Sequence, residues 1–424
     1  MDEVLKKTKK ESSLFLITLA TVVLGLDYVW NFIPGLPGFF SLNRFVFLAV
    51  FAVDVLLFSD KYIRSLRMYL VCGLILIGCL PFLVFDGKSF GADFLVNGLK
   101  LLGIFAYLIF FYFNCRDSKT AGRISTILFL STGVMAVYVM GSQLGILGAK
   151  IHRWRGAVQF TSASGIFDPN IISLSFLPAF AFGPLIGYHW KNISGKKRDL
   201  IVILYICFCF AAFFQLNSRA GSLAVAASLI ASLILRFIIL PREERGGRLN
   251  SIIFLILIIG AFVYTQIQYN ILGPIIGIYG ETYLNTDTSF AIRQDSYTYL
   301  FNSLLSSPSL FGGGYRDYWQ ESGWMGKWPH SVFVDVYIRG GLLFLVTYIS
   351  LYIGSMIKSL RGAFATQEIA LKGCFAGFFC FMVGFLPMAI TLSMEGKKLP
   401  WAIIGCIFGL AAARDNKNRS GTYT

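Results

Sequence analysis

The sequence predicts an all-α integral membrane protein, a single polytopic domain over residues 1–424 with about twelve transmembrane helices. Three observations predict it. First, 56% of the chain is hydrophobic and 14% charged, with mean hydropathy +0.68, whereas a soluble domain carries roughly 25% charged residues. Second, apolar stretches able to cross ~30 Å of hydrocarbon recur along the whole chain. Third, Lys and Arg gather in every second connection between those stretches.

Residues 1–13 are polar and basic and lead into an apolar run over 14–33. A cleavable signal has a shorter core and a small-residue cleavage site, so this run reads as an uncleaved first span. Further spans are expected near 44–59, 68–86, 94–114, 125–144, 169–190, 199–215, 220–240, 251–269, 333–357, 369–392 and 399–413. The second and seventh are short. The eight cysteines all fall within or beside apolar runs, with none in the long hydrophilic loop and no metal-ligand spacing. A disulfide or zinc framework is not expected from that pattern.

With a cytoplasmic N-terminus, the cytoplasmic segments hold 24 of the 37 Lys and Arg. They include Lys6, Lys7, Lys9 and Lys10, then Lys61, Arg64 and Arg67, then Arg116, Lys119 and Arg123. Each later cytoplasmic segment is basic as well, down to Arg414, Lys417 and Arg419. The bias sets one topology, with both termini cytoplasmic. The net charge of +15 is then an orientation signal, and nucleic acid is not an expected partner.

Two extracytoplasmic loops are longer than a connection needs: 145–170 and 268–332, the second between spans nine and ten. Long loops without low complexity are usually functional. The larger one predicts a short amphipathic helix over 289–305, with Arg293, Tyr297 and Leu300 near one face. Basic residues on this side are not explained by topology. Arg219, in NSRAGSLA, sits between two apolar runs; Arg293 lies in the large loop, and Arg153 and Arg155 in the smaller. A guanidinium there is either an interfacial anchor or an anion ligand, since its planar fork matches phosphate oxygens. His330 follows Pro329 at the start of a span. It is either structural or a group able to move a proton near neutral pH. Asp27, Asp54 and Lys100 lie within apolar runs and are candidates by default, with mutual pairing as the alternative.

Four motifs in order resemble the O-antigen ligase and polymerase superfamily of bacterial envelope glycan assembly. They are GIFDPNIISLSFLPAF at 165–180, NSRAGSLA at 217–224, RQDSYTYLFNSLLSSPSLFGGGY at 293–315 and WPHSVFVDVYIRGGLLFLV at 328–346. The resemblance covers about residues 150–350 by motif and the whole chain by span count and loop placement. It implies a GT-C-like fold at the bacterial inner membrane, with 268–332 as a periplasmic catalytic loop. The activity it implies is inverting, metal-independent glycosyl transfer from a glycan joined to undecaprenyl pyrophosphate, with no cofactor. On that resemblance, Arg219 and Arg293 take up leaving-group charge and His330 orients or deprotonates the acceptor hydroxyl, pyrophosphate contact being an equal alternative.

Substrate-binding residues implied in the same way are Arg153, Arg155, Asp168, Asn170, Tyr297, Tyr315 and Trp328, with Tyr318 and Trp319 as further sugar-stacking aromatics. The partners implied are the lipid-linked oligosaccharide donor, a glycan acceptor, membrane lipid, a chain-length regulator and a flippase. Two positions depart from the family pattern: Ser331 stands where many members have asparagine, and Arg339 where many have an acidic residue. Asp335, one turn before Arg339, is expected to pair with it. The expected activity is the O-antigen polymerase; the ligase, which transfers to lipid A–core, is the alternative. A lipid-linked glycan transporter is a further one, disfavoured because its charges would cluster near the bilayer midplane within paired repeats.

Overall fold

The structure is a computed structural model that describes residues 2–27, 42–63, 66–85, 92–144, 146, 150–154, 157–162, 165–167, 172–186, 195–216, 218–239, 260, 288–323, 329–392 and 397–419. Their order is α1 (Asp2–Gly25), α2 (Leu42–Leu57), α3 (Ser59–Ile63), α4 (Leu66–Phe85), α5 (Ala92–Asn114) and α6 (Ser118–Gln143). Strands β1 (Lys150–Trp154), β2 (Ala157–Ser162) and β3 (Gly165–Phe167) follow, then a 3-10 turn (Leu174–Phe176) and α7 (Leu177–Ile186). The remainder is α8 (Gly195–Phe214), α9 (Arg219–Ile239), α10 (Thr288–Ser306), α11 (Tyr315–Ser322), α12 (Val332–Ala365), α13 (Ile369–Thr391) and α14 (Lys398–Arg419).

The fold is helical, as expected, with one difference. The smaller loop carries an antiparallel sheet in the order β1-β2-β3, with Ile151 opposite Phe160 and Phe160 opposite Phe167. Within β2, apolar Val158 and Phe160 alternate with polar Gln159 and Thr161, a short period-2 pattern suited to pairing. The helix expected over 289–305 spans Thr288–Ser306. The span expected at 251–269 lies outside the described residues apart from Gly260.

Five described helices are long and apolar enough to cross a membrane: α4, α6, α9, α12 and α13. Shorter apolar stretches lie at Glu11–Gly25, Gly98–Asn114 and Leu174–Leu185. Their outer faces are greasy. On α4, Leu66, Leu70, Leu74, Ile77 and Leu80 form a stripe at helical spacing, with Leu66 69% and Leu70 57% exposed. Water would not tolerate a face of that size, so the chain is membrane-embedded.

Packing fixes the helix directions. Arg123 donates to Thr18 while Gly25 meets Ser131, so α1 and α6 run parallel. The Thr132 hydroxyl donates to the Ser175 carbonyl and Gly183 meets Phe129, so α7 returns antiparallel to α6. Gly221 packs on Ser173 and Arg236 donates to the Pro184 carbonyl, so α9 is parallel to α7. Gly362 meets Phe375 and Tyr352 donates to the Met382 carbonyl, so α12 and α13 are antiparallel. Glycines make these approaches close: a Cβ at Gly384 would strike Ser228 and the Ala224 carbonyl of α9.

Among the described residues, Asp54, Asp27 and Asp199 are each paired with a cation. Asp54 is fully buried, bonded to Lys61 at 2.6 Å and to Asn114 at 2.9 Å, and accepts from the Tyr62 hydroxyl. Asp27 meets Lys398 at 2.5 Å. Arg236 meets Asp199 at 3.1 Å. Pairing is what a low-dielectric interior demands of such groups.

α12 is broken. Gly341 has φ 58° and ψ −154°, far from helical values. Segment 309–314 supplies the backbone partners that the broken helix lacks: Leu342 N–H donates to the Ser309 carbonyl at 2.9 Å and Leu343 N–H to the Leu310 carbonyl at 3.2 Å. In return Gly314 N–H donates to the Ile338 carbonyl at 3.0 Å, and Gly312 N–H reaches the Gly78 carbonyl of α4 at 3.1 Å. Irregular backbone survives at such a depth only where protein satisfies it.

Candidate functional site

Arg293, Tyr297 and His330 lie at one end of the bundle, where α9 also begins with Arg219. The helix directions put the C-terminus of α13, the N-termini of α9 and α12, the sheet and α10 at that end. Arg219 opens α9, two residues before Gly221, whose packing on Ser173 joins the motif at 217–224 to the chain just after Asp168 and Asn170. The Arg219 side chain is outside the description.

α10 brings Arg293 and Tyr297 to one face at i,i+4 spacing, and both reach α13. Arg293 Nε donates to the Thr391 carbonyl at 3.3 Å, and the Tyr297 hydroxyl donates to the neighbouring Ile390 carbonyl at 2.9 Å. The last carbonyls of a helix have no partner within it, so they are natural acceptors for a helix laid across the end. The Ser331 hydroxyl then donates to Tyr297 Oη at 3.0 Å. His330, directly before Ser331, is half-buried and has φ 50°. Arg293 and His330, far apart in sequence, are thus joined through Tyr297, Ser331 and the end of α13. Burial pushes the Tyr297 phenol up from its ordinary value, against smaller downward pulls from the Ser331 bond and the Arg293 charge. It remains a neutral donor across any physiological pH.

Beside this lies a second polar group. Asp335 is fully buried and accepts from the Tyr315 hydroxyl. Arg339 Nε donates to Tyr315 Oη at 2.9 Å and approaches Asp335 at 3.4 Å, which is the expected i,i+4 pair. The guanidinium also stands over the Phe82 and Tyr315 rings at 5.6 and 5.5 Å. Tyr315 itself is buried and stacks on Trp319, so its contacts join α11 to α12. Tyr318 is likewise buried, its hydroxyl 2.8 Å from Ser296 Oγ on α10.

Of the remaining expected residues, Arg153 is placed in β1 opposite Val158. Arg155, Asp168, Asn170 and Trp328 lie outside the described residues. Sequence reasoning missed the acceptors Ile390 and Thr391 and the part of Ser331. Only the Arg293–Tyr297 spacing could have hinted that both side chains serve one helix end.

Chemically, this end holds a guanidinium and hydroxyls in one hydrogen-bonded frame beside an apolar bundle, with the His330 imidazole on the residue next to it. That is a set able to bind an anion and move a proton at a membrane surface. No protein-family model matches the chain, and no curated protein matches it.

Proposed function

We propose that the protein is a surface-polysaccharide (O-antigen) polymerase, a glycosyltransferase that joins undecaprenyl-pyrophosphate-linked repeat units at the periplasmic face of the bacterial inner membrane. The observation that carries this reading is the convergence of Arg293 and His330 through Tyr297 and Ser331, at the bundle end where α9 begins with Arg219. The opposite end holds Lys61, Arg116, Arg236 and Arg414, which supports placing that end in the cytoplasm. About twelve spans, cytoplasmic termini and a periplasmic loop over 268–332 belong to the same proposal.

In this mechanism an acceptor hydroxyl attacks the anomeric carbon of the donor sugar. A new glycosidic C–O bond forms with inversion, and the bond from that carbon to the pyrophosphate oxygen breaks. Negative charge grows on the leaving lipid pyrophosphate, where Arg219 and Arg293 receive it. His330 accepts the proton of the hydroxyl and passes it to solvent. Positioning and charge neutralisation supply most of the rate.

The test is an electrophoretic ladder of surface polysaccharide in a deletion strain complemented with wild type, Arg219→Ala or His330→Ala. Lipid A–core carrying a single repeat unit in the deletion, restored to a ladder by wild type alone at equal membrane levels, supports the polymerase. Loss of all surface polysaccharide with lipid-linked polymer accumulating points to a ligase instead. A normal ladder from both variants refutes the catalytic assignment.

A further inference from the structure

At the junction of α10, α12 and α13 the chain overrides two local preferences at consecutive residues. His330 is the one non-glycine residue with positive φ among the described residues. L side chains rarely adopt that left-handed region. Ser331 follows as the N-cap of α12, with φ −153° and ψ 133°, yet its side chain makes no capping bond. A serine in this place ordinarily accepts from the second or third amide of its helix. Here the hydroxyl turns away and donates to Tyr297 Oη at 3.0 Å. Tyr297 is anchored in turn by its own donation to the Ile390 carbonyl at 2.9 Å. One turn earlier on the same face, Arg293 holds the adjacent carbonyl, that of Thr391. A single i,i+4 pair on α10 therefore grips the end of α13 and reaches the residue next to His330.

We propose that Tyr297 is a positioning residue, which draws the Ser331 hydroxyl out of its capping role and so fixes His330 in the left-handed conformation at the start of α12. The proposal rests on the catalytic reading of His330 and Arg293 given above and deepens it. Backbone strain persists only where the surroundings over-determine it, and the relay Ile390–Tyr297–Ser331 supplies that constraint. Without the Tyr297 hydroxyl, Ser331 turns back to cap α12 and the residue before it relaxes. A catalytic group displaced by about 1 Å loses on the order of 100-fold in rate. Tyr297 acts here through its neighbours and not on the substrate.

The experiment uses the full-length protein in liposomes with a lipid-linked oligosaccharide as donor and acceptor. Turnover and KM are measured for wild type, Tyr297→Phe, Ser331→Ala and the double variant, all normalised to folded protein. In parallel, the His330 imidazole is titrated by NMR in 13C-histidine-labelled protein without substrate, its resonance assigned with His330→Ala. Tyr297→Phe keeps the ring and leaves the Arg293 contact in place. It is expected to lower kcat by about 10- to 100-fold with KM changed less than about two-fold. The His330 titration is expected to move, and the double variant to be no worse than either single one. Wild-type kcat and an unmoved imidazole titration in Tyr297→Phe overturn the proposal. So does a loss confined to the yield of folded protein. If wild type transfers no sugar but Tyr297→Phe still moves the His330 titration, the catalytic reading fails and the positioning role stands.

Discussion

Of the three side chains that carry the proposed chemistry, Arg293 also holds a helix end, so changing it has two effects. Arg293→Ala removes both a charge and the grip on Thr391, and turnover is expected to fall by about 100- to 1,000-fold, as for loss of a preorganised charge-stabilising donor. Arg293→Lys is expected to stay impaired, because an ammonium keeps the charge but not the planar fork. Both are read by in vitro polymerisation at equal protein levels. Asp335 and Arg339 make a different prediction. Asp335→Ala leaves Arg339 against Phe82 without its carboxylate and is expected to cost about 3–5 kcal/mol. Replacing both, Asp335→Leu with Arg339→Met, is expected to recover much of that loss, since an ion pair and an apolar pair of similar volume are often nearly equivalent. Thermal unfolding in detergent distinguishes the single from the double variant.

Among elements, the broken α12 and segment 309–314 are the most sensitive to small changes. Gly341→Ala places a methyl at positive φ against the Phe311 backbone, and Gly312→Ala drives one into the Arg339 carbonyl. Both are expected to destabilise by at least about 1–3 kcal/mol and to lower the amount of folded protein recovered from membranes. Gly73→Ala on α4 meets nothing within 4 Å and is the matched neutral control. These elements also show what the sequence made legible. The amphipathic pattern around Arg293, Tyr297 and Leu300 marked α10 to within a residue at each end. The Asp335–Arg339 spacing foretold their pairing, because i,i+4 on a helix settles contact without tertiary knowledge. The break at Gly341 was not legible. Two glycines in an apolar run look like close helix packing, and the carbonyls that satisfy the break come from Ser309 and Leu310, some thirty residues upstream. The sheet over 150–167 is hidden in the sequence for a related reason. Its alternation is short and sits between long apolar runs, where a connection is the simpler reading. Ser331 was visible only as an exception to a pattern, since its partner on α10 is set by tertiary structure.

For the molecule as a whole, the alternation of helix direction and the basic residues at one end lead to a topology that can be mapped directly. Reporter fusions after Arg123, Arg248 and Arg361 are expected to report the cytoplasm, and those after Arg155 and Arg293 the opposite side. A reversed pattern at any of these points would detach the proposed site from the face where lipid-linked glycans are polymerised. The break in α12 has one more consequence, which concerns the order of synthesis. The irregular segment over 309–314 and its anchor at Gly78 both leave the ribosome before Gly341 does. The acceptors that α12 needs are therefore already made when its unsatisfied amides appear, and the insertion machinery has no orphaned backbone to shelter. Moving the same helix ahead of its partner by circular permutation would reverse that order, leaving a half-formed span to await its complement in lipid.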